Sequence, residues 1–208
     1  MRTRDDWDER YREPRPPWDV GVPDEHLVEL VTKGRIGVGR ALEIGCGTGT
    51  NARWLAEQGF DVVALDLAPL AIDKARAAGA PKAGSVALHC LDFLNEEVPG
   101  GPFDFVFDRG CFHVFDHDRE RGEFAARVAE LLRPDGLWLS LIGSTEGAPR
   151  DVGPPRRSAR DIMHAIEPEL AIIELRASRF GVNAPESPHA WMCLCTRRTM
   201  PAQPSTLR

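Results

Sequence analysis

The sequence predicts a doubly wound α/β domain, and three observations carry that prediction. A short apolar run, Ala41, Leu42 and Ile44, passes through a glycine loop directly into a helical pattern. Three more apolar runs, each closed by an acid, alternate with helical stretches: DVVALD to Asp66, SVALHCLD to Asp92 and FDFVFD to Asp108. Two final β runs, Ala171 to Phe180 and His189 to Arg197, are joined by GVNAPESP and read as an antiparallel hairpin at one sheet edge. At 208 residues the chain fits one domain with a full core, and no internal repeat interrupts it.

Composition narrows the partners. The formal charge of −6 offers no basic face for nucleic acid, so a small-molecule substrate is expected. No apolar run approaches the ~20 residues that span a bilayer, and the charged start MRTRDDWDERYREP lacks the apolar core of a secretory signal. Five cysteines, an odd number, make no disulfide framework and fit a reducing, cytoplasmic setting. Neither C-x-x-C nor H-x-x-x-H spacing occurs, so no metal is expected.

In order along the chain, residues 1–22 read as an arm dense in charge and proline, with a helical turn or two around Trp7 to Arg12. Trp7 and Trp18 need something to pack against. Prolines 14, 16 and 17 hold the chain extended, so the arm lies over the domain rather than trailing from it. Asp24 to Val31 is a helix opened by Pro23 and Asp24, with Leu27, Leu30 and Val31 on its apolar face and Gly34 closing it. Next comes RALEIGCGTGTNARWLAEQGF, strand, glycine loop and helix in one stretch. Gly45, Gly47 and Gly49 allow a sharp turn and close approach of a ligand to the backbone. Thr50 stands where a dinucleotide loop has its third glycine, and no lysine serves a phosphate-cradling loop. Glu43 repels pyrophosphate and attracts a cation. The pocket therefore suits a cofactor with positive charge and no phosphate.

Asp66, at the tip of the second strand with Leu67 beside it, can accept both ribose hydroxyl hydrogens, and it also reads as a cap for the helix Leu70 to Ala78. In the fourth strand Phe103, Phe105 and Phe107 are expected to share one face. Arg109 to His113 then falls at the crevice where ligands bind in such sheets. A helix over Asp118 to Leu132 leads through RPDG into a fifth strand, LWLSLIG. Ser144 to Pro155 is a loop of the length used for lids, Ser158 and Asp161 form a capping box for a helix over Ala159 to Ile166, and residues 199–208 read as a frayed tail. Trp191, Cys193 and Cys195 share one face of the last strand, a core face.

The motif LEIGCGTGTNA, Leu42 to Ala52, with the strand-end acids, resembles motif I of the class I S-adenosylmethionine-dependent methyltransferases, over roughly residues 18–198. The segments PPWD, DRGCFHVF, LRPDG and GPPRRS resemble the bacterial thiol and thiopurine S-methyltransferase-like group. The resemblance implies a Rossmann-like seven-stranded sheet with the last strand antiparallel, the arm at 1–22 as a lid, the domain at 23–198 and S-adenosylmethionine as cofactor. It implies that Glu43 and the loop Gly45, Cys46, Gly47 and Gly49 hold the methionine part. It further implies that Asp92 accepts from the adenine amine while Phe93 flanks the ring, and that Trp18 lies near the cofactor, where anchoring the arm is the alternative. Asp108 is expected to meet the sulfonium side, with Arg109 and His113 the catalytic candidates. Arg109 would raise the thiolate fraction of an acceptor or pair with Asp108 or Asp116, and His113 would be a base or a core histidine. Arg156 and Arg157 shape the substrate mouth or sit in solvent. S-methylation of a small thiol by a monomer or homodimer is the leading expectation. An O- or N-methyltransferase and a non-catalytic cofactor-binding regulator are the alternatives.

Overall fold

The computed structural model describes residues 3–13, 15–148, 153–182 and 186–198. The expected tail at 199–208 lies outside them, as do Pro14 and parts of the loops around 150 and 184. The seven strands are β1 Arg40–Ile44, β2 Asp61–Asp66, β3 Ser85–Cys90, β4 Phe103–Arg109, β5 Leu132–Gly143, β6 Leu170–Arg179 and β7 His189–Arg197. They form one sheet in the order β3-β2-β1-β4-β5-β7-β6. β1 to β5 pair in parallel, and β7 runs antiparallel to both β5 and β6. Six helices surround the sheet: α1 Arg4–Tyr11, α2 Glu25–Thr32, α3 Thr50–Glu57, α4 Pro69–Ala77, α5 Asp118–Leu131 and α6 Ala159–Ile166.

Each sheet face buries its own core, as period-two alternation requires. Phe124, Val128, Ile162 and Ile166 of α5 and α6 pack with Val106, Trp138, Cys193 and Cys195 on one face. Leu27, Leu30 and Leu55 of α2 and α3 pack with Phe105, Phe107, Leu139, Met192 and Leu194 on the other. Cys193 and Cys195 are core residues, as the alternation predicts, with Trp191 packed against the same cluster. Phe103 departs from the expected pattern and joins the face opposite Phe105 and Phe107. The register explains why: between Phe103↔Leu132 and Phe105↔Leu137 the β5 strand advances five residues while β4 advances two. The RPDG turn is that extra length, a bulge inside β5 with Asp135 in the left-handed region at φ 63°.

Sheet order places the site. Sequential winding reverses between β1 and β4, which lie side by side, so the loops after both strands open a crevice at their carboxyl ends. Over that crevice lies the N-terminal arm. Tyr11 packs with Ala68 and Ala71, and Trp7, Trp18 and Leu70 pack around them. Ala68, at the start of α4, has no capping side chain, and Asp8 of α1 supplies the missing acceptor by taking the Leu70 N–H at 2.8 Å. The expected box at α6 is present, Ser158 accepting from the Asp161 N–H at 3.2 Å and Asp161 from the Ser158 N–H at 2.8 Å.

Candidate active site

The glycine loop after β1 holds three residues in the left-handed region, Gly45 at φ 68°, Gly47 at 55° and Gly49 at 76°. At Gly47 a Cβ would also sit 3.0 Å from the Tyr11 hydroxyl, so the arm closes directly on the loop. Asp66 reinforces the turn, its carboxylate accepting from the Gly47 N–H and the Ala68 N–H, both at 2.9 Å. Burial raises the Asp66 carboxyl to about 6. Each oxygen keeps a lone pair for a further donor; the acid ties the glycine loop to the residue before α4 and does not itself cap that helix.

A cavity of about 60 Å³ lies between loop and arm, lined by Trp18, Glu43, Gly45, Cys46, Gly47 and Arg109, with Tyr11, Asp19 and Asn51 among its other walls. Glu43 is 1 % exposed. Its Oε1 accepts from Asn51 Nδ2 at 3.0 Å, and its Oε2 finds no partner among the described residues. Burial lifts this carboxyl to about 8, against the opposing bond from Asn51 and a lesser one from the Ala52 backbone. An unpartnered buried oxygen at a glycine cradle is the signature of a place for a cation: a positive ligand would satisfy it and draw off the proton. The donor set therefore fits a cationic cofactor with a ribose, and fits a phosphate poorly.

Trp18 stands between the arm and the cavity. It lines the cavity and anchors the arm, edge-on to Trp7 and Tyr11 at 6.1 and 6.0 Å with the Arg10 guanidinium 4.8 Å from its ring. Arg109 also reaches the cavity, but its charge partner is neither Asp108 nor Asp116. Its Nε donates to Asp24 Oδ2 at 2.9 Å, in a pair whose side chains are 11 % and 5 % exposed.

Three expected residues, Asp108, His113 and Phe93, sit elsewhere in their chemistry. Asp108 is fully buried and turned inward: Oδ1 accepts from the N–H groups of Cys111 and Phe112, and Oδ2 from Trp138 Nε1 at 3.0 Å. It braces the loop after β4 and does not meet a sulfonium. His113 is 4 % exposed, and its Nδ1 accepts the Gly143 N–H at 2.7 Å. That bond fixes the neutral tautomer with the proton on Nε2, so the ring has no lone pair to offer an acceptor as a base. Phe93 turns into the core against Phe124, 4.6 Å between ring centres, rather than flanking a ligand. Asp92, two residues past β3, closes a turn by accepting from Leu94 N and Asn95 Nδ2, both at 2.9 Å. Leu67, next to Asp66, is half-buried, and its carbonyl takes the Cys90 thiol at 3.6 Å. Arg157 bonds the carbonyls of His113 and Phe115 and pairs with Asp116, so it braces this wall; Arg156 spends its donors on the carbonyls of Ser144 and Thr145.

Sequence reasoning missed Tyr11, Asp19, Asn51 and the Asp24 link to Arg109. One signal was available for the first: Tyr11 is the single tyrosine of the chain and stands in a charged helix beside two tryptophans. The others depend on which loops meet. Cys46 and Cys111 flank Gly45 as neighbours, and burial pushes both thiols up, so they remain protonated filler. All five cysteines are free.

Comparisons with known proteins bear on the family and the fold. The family model "Thiopurine S-methyltransferase (TPMT)" matches residues 2–169. Among relatives, the "Probable thiol methyltransferase 2" of Arabidopsis thaliana is 32% identical over 151 residues, 72% of this chain and 65% of that protein. "Thiocyanate methyltransferase 1" of Brassica oleracea is 32% identical over 155 residues, 74% of this chain and 67% of that protein. The "2-heptyl-1-hydroxyquinolin-4(1H)-one methyltransferase" of Mycobacteroides abscessus is 26% identical over 171 residues, 81% of this chain and 74% of that protein. This chain thus spans about two thirds to three quarters of these relatives. A solved structure described as "Conversion of a Disulfide Bond into a Thioacetal Group during Echinomycin Biosynthesis" superposes with a TM-score of 0.81 and 27% identity over 94% of this chain and 93% of that one. Fold, cavity chemistry and family match converge: the chain belongs to the thiopurine S-methyltransferase family and is an S-adenosylmethionine-dependent methyltransferase.

Proposed function

We propose that the protein methylates a small thiol or similarly soft nucleophile, acting in the cytoplasm as a monomer or homodimer and without a nucleic-acid partner. The observation that carries the acceptor class is the shortage of strong bases: among the described residues lining the cavity there is no histidine or lysine, Glu43 is committed to the cofactor side, and the Asp19 carboxylate accepts from the Thr48 hydroxyl at 3.1 Å. An acceptor must then arrive ionised by its own acidity. A thiol with a reference pKa of about 8.5 does so, with a few per cent thiolate at pH 7, whereas an aliphatic alcohol or ammonium group does not. The thiol and thiocyanate methyltransferases among the relatives support the same reading. An acidic hydroxyl meets the same criterion, and the hydroxyquinolinone methyltransferase among the relatives favours it as the second reading. The net charge of −6 and five free cysteines support the remaining assignments. No helix among the described residues is long and apolar enough to cross a membrane.

When bound, S-adenosylmethionine supplies an electrophilic methyl on a cationic sulfur. The chain's part is to hold, orient and keep out water. Glu43 and the backbone of Gly45, Cys46, Gly47 and Gly49 would hold the methionine part, and Asp66 the ribose. Leu67 and Asp92 would border the adenosine, and Trp18 with Tyr11 would roof it. Arg109 closes the acceptor end, and with Asp24 beside it its charge is largely neutralised, so it contributes little to acidifying a thiol. The test is a panel of thiols, acidic phenols, alcohols and amines, following S-adenosylhomocysteine. Turnover is expected for thiols with a rate that tracks their own ionisation; faster turnover of amines or unactivated alcohols overturns the reading.

A further inference from the structure

The cavity encloses about 60 Å³, while pockets for small ligands usually hold about 300–1,000 Å³. The arm roofs this space through Tyr11, Trp18 and Asp19, so the reactive end of a cofactor gains room there when the arm moves aside. What latches the acceptor end of that roof is one guanidinium. Arg109 Nη1 donates to the Trp18 carbonyl of the arm at 3.2 Å, and Nη2 donates to the Gly181 carbonyl in the segment between β6 and β7. The guanidinium lies 5.3 Å from the Phe180 ring centre, and its Nε is held by Asp24 Oδ2. Among the described residues Asp24 is the one carboxylate that pairs with it.

Asp24 divides its carboxylate. Oδ1 caps α2 by accepting from His26 N at 3.0 Å, while Oδ2 holds Arg109. Its backbone N–H donates to Asn51 Oδ1 at 2.9 Å, and Asn51 in turn donates to Glu43. A continuous set of bonds therefore runs from the cofactor-side acid to the arm and to the β6–β7 segment.

We propose that Asp24 is a positioning residue for methyl transfer, holding Arg109 as a latch that closes the arm and the β6–β7 segment together over the acceptor end of the site. The inference rests on the assignment of this cavity to the cofactor's reactive end. In this account Arg109 controls when the chamber is closed and how an acceptor is seated, and opening breaks its bond to Trp18. Only Oδ2 of Asp24 is needed for the latch, so the cap and the latch are separable: asparagine caps a helix as well as aspartate does but carries no charge for Arg109.

The experiment uses the full chain with Asp24→Asn and Arg109→Lys. Limited trypsin digestion without cofactor reads the arm, where Arg10 and Arg12 offer cleavage sites. Both variants are expected to be cut there roughly tenfold faster than wild type, the loss expected for a charge-assisted bond; because Arg109 is left buried without its carboxylate, the melting temperature of Asp24→Asn should fall as well, and the arm is therefore read against cleavage elsewhere in the same chain. In steady state on one thiol, Asp24→Asn is expected to raise the acceptor KM about tenfold while kcat falls far less. An Arg109→Lys protein keeps the charge but cannot span three acceptors, so a general stabilising ion pair predicts wild-type arm protection for it and a latch does not. Wild-type cleavage rates in both variants, or an unchanged acceptor KM in Asp24→Asn, overturn the proposal. Calorimetry of the wild type with S-adenosylhomocysteine reads the cofactor assignment separately: absence of binding there sinks that assignment, whatever the arm does.

Discussion

Glu43→Gln offers the sharpest test of the cofactor site, because the side chain is caught between two demands. In the cofactor-free protein its carboxyl stands at about 8 against an ordinary 4.5, raised by burial. The folded chain therefore keeps a proton that the unfolded chain loses above pH 4.5, and stability falls as pH rises through that window until about 8. At about 1.4 kcal/mol per decade the whole displacement is worth about 5 kcal/mol, and the part between pH 6.5 and 8 about 2 kcal/mol. That upper window isolates Glu43, since Asp66 and Asp108, both raised to about 6 by burial, finish most of their own destabilisation below it. Glutamine has the shape of the protonated acid, can still accept from Asn51 and has nothing to titrate. Urea unfolding at pH 6.5 and 8 should show wild type losing about 2 kcal/mol that the variant keeps. Binding reverses the sign. A cationic group at the carboxylate favours its charged form, and the α-ammonium of S-adenosylhomocysteine, whose sulfur is uncharged, supplies one; its binding should therefore release a proton near neutrality, with affinity falling up to about tenfold per pH unit below 8. The variant should bind weakly at every pH. Equal pH slopes of stability for the two proteins, or binding without proton release, would refute the reasoning.

Three other outcomes follow from the same geometry. Asp66→Asn should weaken S-adenosylhomocysteine binding by roughly ten- to hundredfold in calorimetry, since a bond to a charged group is worth about 1.5–3 kcal/mol, and should also lower the melting temperature, because the amide has one acceptor oxygen for the Gly47 and Ala68 N–H groups; affinity within twofold of wild type removes it as the ribose ligand. Gly47→Ala forces a side chain into φ 55° and against the Tyr11 hydroxyl at 3.0 Å, a strain of about 1–2 kcal/mol. A melting temperature lower by about 2–8 °C is expected, and an unchanged one would mean that the arm does not rest on the loop. His113→Gln should lower stability by about 1–3 kcal/mol by disturbing the acceptor for the Gly143 N–H, yet leave the pH profile of thiol turnover tracking the thiol; a shifted or flattened profile would restore the histidine as a base.

Much of this molecule is local enough to read in one dimension. The run from Arg40 to Phe60 changes period from two to 3.6 across three glycines, and no distant residue is needed to make that a strand, loop and helix. Acids at strand tips, the box at Ser158 and Asp161, and the hairpin of β6 and β7 are equally short-range. So is the reading of Glu43 as an attractor of cations, because charge and glycine cradle lie within a few residues of each other.

Tertiary structure decided whatever depends on where a side chain aims or on which loops meet. Asp108 and Asp66 look alike in sequence, each ending an apolar strand, yet Asp108 is bonded by Trp138 across the sheet while Asp66 is bonded by the glycine loop. Phe103 changes face because a turn inside β5 shifts register, and β4 alone carries no trace of that. His113 is fixed by the Gly143 N–H, and Arg109 by Asp24, across separations of 30 and 85 residues. Sequence pattern determines periodicity and composition, which set the sheet and the cofactor's charge; three-dimensional packing alone determines hydrogen-bond partners, which assign each polar side chain to the ligand or to the scaffold.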